Sequence, residues 1–379
     1  EVAGEELNPV APGGGDVAAG GGADVQYVTT LQAGEVDDNG DFGAYLQYRL
    51  DFHDFLGYPV HDVEIRERHV INVRTRGGLP VLAARVLVYD ADRQNVITTI
   101  RTTATGIAYF FPLATPATAA QQSYFVVVEK GGESANFALD RGDGSGRTWD
   151  VTLNVPQSRP PVNLDVLFLI DATGSMADEI QQLQDNIVSI SAQIAALPSQ
   201  PNVRFGMVAY RDRGDAYVTQ AYDFTPDVGE FQADLRGVRA EGGGDTPESL
   251  NEALHVSIWN VDWRVEDTVS LMFLVADAAP HLDYVNDYDY AVEMREAAAR
   301  GIKIHPIASS GLDDQGEYIY RQIAQFTGGH FLFLTYEETP QPSGEPGTEH
   351  HVQPGYSVED LDGLVLRLIK DELATLLGE

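Results

Sequence analysis

The sequence predicts an α/β fold over its C-terminal part, with a doubly wound, mostly parallel sheet, and an all-β sandwich domain ahead of it. Three observations carry this expectation. From about residue 164 onward, apolar and partly β-branched runs (DVLFLI, LMFLVA, IKIHPIA, FLFLT) alternate with segments of helical period, the pattern of parallel strands joined by crossover helices. Those runs are apolar throughout instead of alternating, as strands covered on both faces must be. Over residues 27–155, shorter runs follow one another between Gly-rich turns, which suits a sandwich of short strands.

Taken in order, residues 1–26 (APGGGDVAAGGGAD at their centre) hold almost no large apolar side chain and read as a flexible tether. In 27–155 the runs RVLVYD, NVITTI, AYFFP, YFVVVEK and WDVTLNV read as strands, broken at RGG, ATG, KGG and RGDGSGR. The earlier stretch DDNGDFGAYLQYRLDFHDF fits either a short helix or an edge strand. PQSRPPVN, residues 156–163, is a proline-stiffened linker that separates the sandwich from a second domain at 164–379. After its first strand, Ile180, Leu183, Ile187, Ile190, Ile194 and Leu197 recur at steps of three and four and paint one face of a helix. VRFGMVAYRD and AYVTQAYDF read as strands that could pair as a hairpin, and a helix follows GGGDTPE, where Asp245 or Thr246 can cap it and Pro247 suits its first turn. Helices follow near 288–300 and 314–326, and a last amphipathic one carries Val358, Leu361, Val365, Leu368 and Leu376.

Composition narrows the function. The 379 residues carry a formal charge of −34, and the lysines are Lys130, Lys303 and Lys370 alone, which argues against nucleic acid as a partner. No apolar run is long enough to span a bilayer. Without cysteine there is neither a disulfide framework nor thiolate chemistry. The opening EVAGEE, which lacks a methionine and an apolar leader, suggests a processed product.

The residues that carry chemistry are oxygen donors: Asp171, Thr173 and Ser175 in DVLFLIDATGSM, Asp245 or Thr246 in GGGDTPE, and Asp277 in LMFLVADAAPH. Asp171 and Asp277 each close an apolar strand, so both carboxylates should emerge at the carboxyl edge of the sheet, where open α/β sheets bind ligands. Carboxylates and hydroxyls without histidine or cysteine suit a hard divalent cation, Mg²⁺, with Mn²⁺ or Ca²⁺ as alternatives.

This ordered set resembles the metal-ion-dependent adhesion site of von Willebrand factor A domains, whose signature is DxSxS, a distant Thr or Asp, and a distant Asp. Thr173 stands where that family usually has Ser, and the hydroxyl survives. The resemblance covers about residues 162–379 and implies a Rossmann-like sheet bearing a surface cation, completed by a Glu or Asp carboxylate of a protein partner. It further implies an adhesive, non-enzymatic protein outside the cytoplasm, at the cell surface or secreted. In some relatives the last helix shifts and couples to the metal loops. The stretch GGLPVLAARVLVYDADRQNVITTIRTTATGIAYFFP resembles the carboxypeptidase regulatory-like (prealbumin-like) module, which speaks to fold and little to function.

Other motifs have plainer readings. Arg213, Gly214 and Asp215 spell RGD, but they follow a strand as ordinary turn residues. His350 and His351 lie in a Pro- and Gly-rich insertion, 337–357, and read as solvated; His281, His305 and His330 read as structural. Asp140, Asp143 and Asp150 do not keep EF-hand spacing, and a hairpin loop is expected there; Asp37, Asp38 and Asp41 fail in the same way. Two rivals to adhesion remain: an aspartyl phosphotransferase or phosphatase using Asp171 as nucleophile and Lys303 as its cation, and a structural envelope scaffold. A serine hydrolase is disfavoured, since no GxSxG surrounds Ser175.

Overall fold

The computed structural model describes residues 31–142, 144–244, 246–335, 348–352 and 356–379, so the expected tether, Asp143, Asp245 and much of the 337–357 insertion lie outside the described residues. The N-terminal part holds strands β1 (Gln32–Val36), β2 (His69–Thr75), β3 (Arg85–Tyr89), β4 (Val96–Arg101), β5 (Ile107–Phe110), β6 (Ser123–Lys130), β7 (Glu133–Asp140) and β8 (Thr148–Leu153). Its helices are α1 (Phe42–Asp51), continued by a π-helical turn over Phe52–Leu56, and the single turn α2 (Pro116–Ala119). Then come β9 (Asn163–Asp171), α3 (Ala177–Ala195), β10 (Asn202–Tyr210), β11 (Thr219–Thr225), α4 (Val228–Gly237) and α5 (Leu250–Trp259). The chain closes with β12 (Thr268–Ala276), α6 (Tyr290–Arg300), β13 (Ile302–Ala308), α7 (Asp314–Thr327), β14 (Phe331–Thr335), β15 (Val358–Asp360) and α8 (Leu361–Leu377).

The large sheet runs β11-β10-β9-β12-β13-β14-β1-β15. Its centre from β10 to β14 is parallel, and β11 and β1 pair antiparallel with their neighbours. β9 and β12 are buried almost end to end, which explains their unbroken apolar sequence. One face packs against α3, α4 and α8 through Ile180, Leu183, Ile187, Phe231, Val365 and Ile369. The other packs against α5, α6 and α7 through Leu254, Met294, Tyr320 and Ile323. Every member of the predicted α3 stripe from Ile180 to Leu197 is buried, so the 3.6-residue period did set the packed face.

Two smaller sheets, β5-β2-β8 and β4-β3-β6-β7, enclose a second core of Ile71, Val73, Val86, Val88, Phe110, Val126, Val128 and Leu153. Three sequence expectations need correction around this unit. Residues 31–68, assigned above to the sandwich, lie against the α/β body: β1 fills a position between β14 and β15, and α1 packs beside α7. Gly34 makes that pairing possible, because a Cβ there would collide with the Phe333 ring of β14. Asp41 caps α1 at Ala44, Phe52 stacks on Tyr318 at 4.1 Å, and Arg321 grips Asp38 at 2.6 and 2.9 Å. The segment after Asp140 is not a hairpin, since β7 pairs with β6 in one sheet and β8 with β2 in the other; the loop crosses between them. Finally, α5 begins at Leu250 behind Ser249, so neither Thr246 nor Pro247 opens it. The intervening Glu248 is instead drawn into a bridge with Pro280.

Candidate functional site

Parallel pairing fixes where the oxygen-bearing residues come out. β9 meets β10 with Tyr210 opposite Asp171, and β12 with Val275 opposite Ile170, so Asp171 and Asp277 lie at the carboxyl ends of adjacent strands. Past Asp171 the chain makes one tight turn, Gly174–Met176, and enters α3. Within that turn the Thr173 amide and hydroxyl both donate to Asp171 Oδ1, at 2.9 and 2.7 Å. Thr173 Oγ1 and Ser175 Oγ stand 3.1 Å apart. Asp171 and Thr173 are buried, and Ser175 is exposed, so the three oxygens form a short path from the sheet edge to solvent. Asp171 Oδ2 is buried and has no hydrogen-bond partner among the described residues.

The loop that precedes α5 closes over this turn. Glu241 donates its amide to Ala172 and Gly174 donates to Gly242, both at 3.0 Å. Gly243 adopts φ +62°, and a Cβ there would stand 2.8 Å from Thr173 Cβ, so glycine is required on both counts. The Gly243 amide donates to Asp215 Oδ2 at 2.9 Å, which ties the RGD turn to the same loop. Glu248 is buried, held by its amide on Ala279 and its carbonyl on the His281 amide, each at 3.0 Å. These bonds stitch the loop to the Asp277 turn. Thr246, by contrast, is exposed and makes no hydrogen bond to the cluster among the described residues, and Asp245 lies outside them.

Carboxylates crowd this edge. Burial, then the Asp277 charge, push Asp171 up to about 7. Burial, then the charges of Asp171, Asp212, Asp215 and Asp277, push Glu248 up to about 9. The buried Tyr210 hydroxyl favours the Asp171 carboxylate by proximity, yet makes no hydrogen bond of normal geometry. Asp212 is the well-partnered member: Ser249 Oγ donates at 2.8 Å and Tyr284 Oη at 2.7 Å, with His281 Nε2 at 3.6 Å. Sequence reading missed Glu248 and Asp212, whose roles depend on contacts between loops far apart in the chain. The one available signal was Glu248 standing within GGGDTPE itself.

Arg213 of the RGD turn is paired with Asp287 at 2.7 Å, and Asp215 is spent on the Asp212 and Gly243 amides, so the tripeptide braces the site. Lys303, required by the phosphotransferase rival, sits near the amino end of β13 and is ion-paired with Glu372 of α8. It is therefore at the opposite end of the strands from Asp171.

Residues 165–336 match the von Willebrand factor A domain family model, and that segment of the chain is such a domain. Similar proteins include an ariadne-like RING finger protein of Acanthamoeba polyphaga mimivirus, 27% identical over 45% of this chain and 18% of its own length. Alpha-protein kinase vwkA of Dictyostelium discoideum is 29% identical over 36% of this chain and 21% of its own. Mouse hemicentin-1 is 24% identical over 51% of this chain and 3% of its own. The chain thus spans about a fifth or less of the length of these relatives.

Proposed function

We propose that this protein binds protein partners through a divalent cation held at the carboxyl edge of its large sheet. The carrying observation is the buried, unpartnered Asp171 Oδ2 beside two hydroxyls and a second strand-end carboxylate. Like charges at this density hold protons unless a cation replaces them, and an all-oxygen donor set favours Mg²⁺, with Mn²⁺ or Ca²⁺ next. Asp171, Thr173, Ser175 and Asp277 would hold the ion, with Thr246 or Asp245 completing the set from the loop. Glu248 would neutralise it from behind. An ion so placed is open to solvent on the Ser175 side, where a Glu or Asp of the partner can take a vacant position.

The reading extends to a station outside the cytoplasm, at the cell surface or secreted, and to a regulatory-like β-sandwich that spaces the binding domain. Pull-down from envelope extract with and without EDTA, using wild-type and Ser175→Ala protein, tests it. A partner retained only with Mg²⁺, and only by wild type, supports the proposal. Partners equally retained by both proteins in EDTA would leave the scaffold reading in its place.

A further inference from the structure

We propose a second metal site, distinct from the first, formed by Asp314, Glu317 and His351 and suited to Zn²⁺. One carboxylate oxygen from each acid and a ring nitrogen of the histidine lie within 4.8 Å of one another. His351 Nδ1 is 3.2 Å from Glu317 Oε2 and 3.6 Å from Asp314 Oδ1. Four-coordinate zinc with bonds of roughly 2.0–2.1 Å places neighbouring donors about 3.3–3.4 Å apart, so these separations already match two edges of its tetrahedron. A mixed imidazole and carboxylate set favours a borderline ion over Mg²⁺, which separates this site chemically from the oxygen-only one.

The supports of the donors are built in. Asp314 and Glu317 share the first turn of α7, three residues apart and hence on one face. Glu317 Oε1 accepts from the Arg321 guanidinium (3.4 Å), the His351 amide is shared between Oε1 (3.2 Å) and Oε2 (3.0 Å), and Oε2 faces the ring nitrogens of His351 (3.2 Å) and of His350 (3.4 Å), the latter buried and not solvated. Arg321 also donates to the His351 carbonyl at 2.8 Å, and Asp38 fixes Arg321. Such partners set ligand orientation before an ion arrives. A helix N-terminus repels cations, and the acids Asp314 and Glu317 in the first turn of α7 oppose that repulsion. The His351 side chain is 49% exposed and that of Asp314 34%, so an ion can enter and a water can fill the fourth position. The ion would fasten the segment that follows β14 to α7. That helix touches the Asp277 turn, where Tyr320 Oη donates to the Ala278 carbonyl at 2.8 Å.

The test is calorimetric titration of ZnCl₂ into metal-stripped Asp171→Asn protein, which lacks a key donor of the first site. One equivalent of Zn²⁺ should bind, and His351→Ala or Asp314→Asn added to that background should weaken it by about 100-fold or more. Both positions are partly exposed, so each variant should fold, and matched thermal melts check this. In the protein that keeps Asp171, the same two substitutions should leave Mg²⁺ affinity unchanged. Absence of a Zn²⁺ equivalent in Asp171→Asn protein, or Zn²⁺ binding unaltered by both substitutions, overturns the site irrespective of the Mg²⁺ result.

Discussion

Asp171→Asn should have two effects of opposite sign: it should remove Mg²⁺ binding and make the metal-free protein more stable at alkaline pH. Asparagine keeps an Oδ1 that can accept from the Thr173 amide and hydroxyl, so the turn into α3 survives. What it removes is a buried charge. Asp171 titrates at an ordinary 3.8 in the unfolded chain and at about 7 in the folded one. Between those values the folded protein holds a proton that the unfolded chain has lost, so stability falls as pH rises across that window and levels off above it. At 1.36 kcal/mol per unit the full penalty is about 4 kcal/mol, of which about 3 kcal/mol develops between pH 5 and pH 8.

Urea unfolding in EDTA at pH 5 and pH 8 measures this directly. Wild type should lose stability over that interval, and the variant should lose about 3 kcal/mol less. Adding Mg²⁺ at 100 times its dissociation constant should restore about 2.7 kcal/mol to wild type and nothing to the variant. A variant destabilised at pH 8 in EDTA, or a wild type indifferent to pH, would refute the account of Asp171 as a carboxylate awaiting a cation.

Three further outcomes follow from the same geometry. Ser175→Ala should weaken Mg²⁺ binding by about tenfold or more in calorimetry while leaving the urea midpoint unchanged, because Ser175 is exposed and supports no packing. Gly243→Ala should cost about 1–3 kcal/mol, seen as a lower urea midpoint, since it forces a positive φ and a clash with Thr173. At the far end of β9, Asp165 is fully buried between Arg204 and Arg264, at 2.8 and 2.6 Å. Asp165→Ala should cost about 3–5 kcal/mol by stranding both guanidinium groups, with Mg²⁺ affinity unaltered in whatever protein folds.

Where the oxygen-bearing residues of the proposed site emerge was legible because strand ends obey local rules. A strand buried on both faces announces itself by an apolar run, and the first polar residue after the run marks the sheet edge; Asp171 and Asp277 were found that way. Thr173 and Ser175 followed because they share a turn with Asp171. Glu248 was hidden, since its burial depends on a bridge to Pro280 that no local pattern encodes. β1 was hidden for a related reason: QAGEV is weakly apolar and becomes a strand by pairing with Phe331–Thr335 on one side and Val358–Asp360 on the other. The misread loop after Asp140 shows the limit of adjacency, because two strand-like runs next to each other in sequence joined different sheets.

The acids at this edge divide into two kinds, and the division is what separates a site from a charged surface. Asp212 and Asp215 are consumed by the fold: hydroxyls of Ser249 and Tyr284 hold one, and backbone amides of Asp212 and Gly243 hold the other. Asp171 Oδ2 and Glu248 Oε2 are buried with no hydrogen-bond partner among the described residues. Burying such oxygens in charged form is costly, and Asp171 and Glu248 accordingly hold their protons more tightly than ordinary carboxyl groups do. Meanwhile glycine at 243, the amide of Gly174 and the Arg213–Asp287 pair hold the surrounding loops in register. Loops fixed this firmly around crowded carboxyl groups are what the proposed cation site requires, and the exposed Ser175 hydroxyl lies on its solvent side.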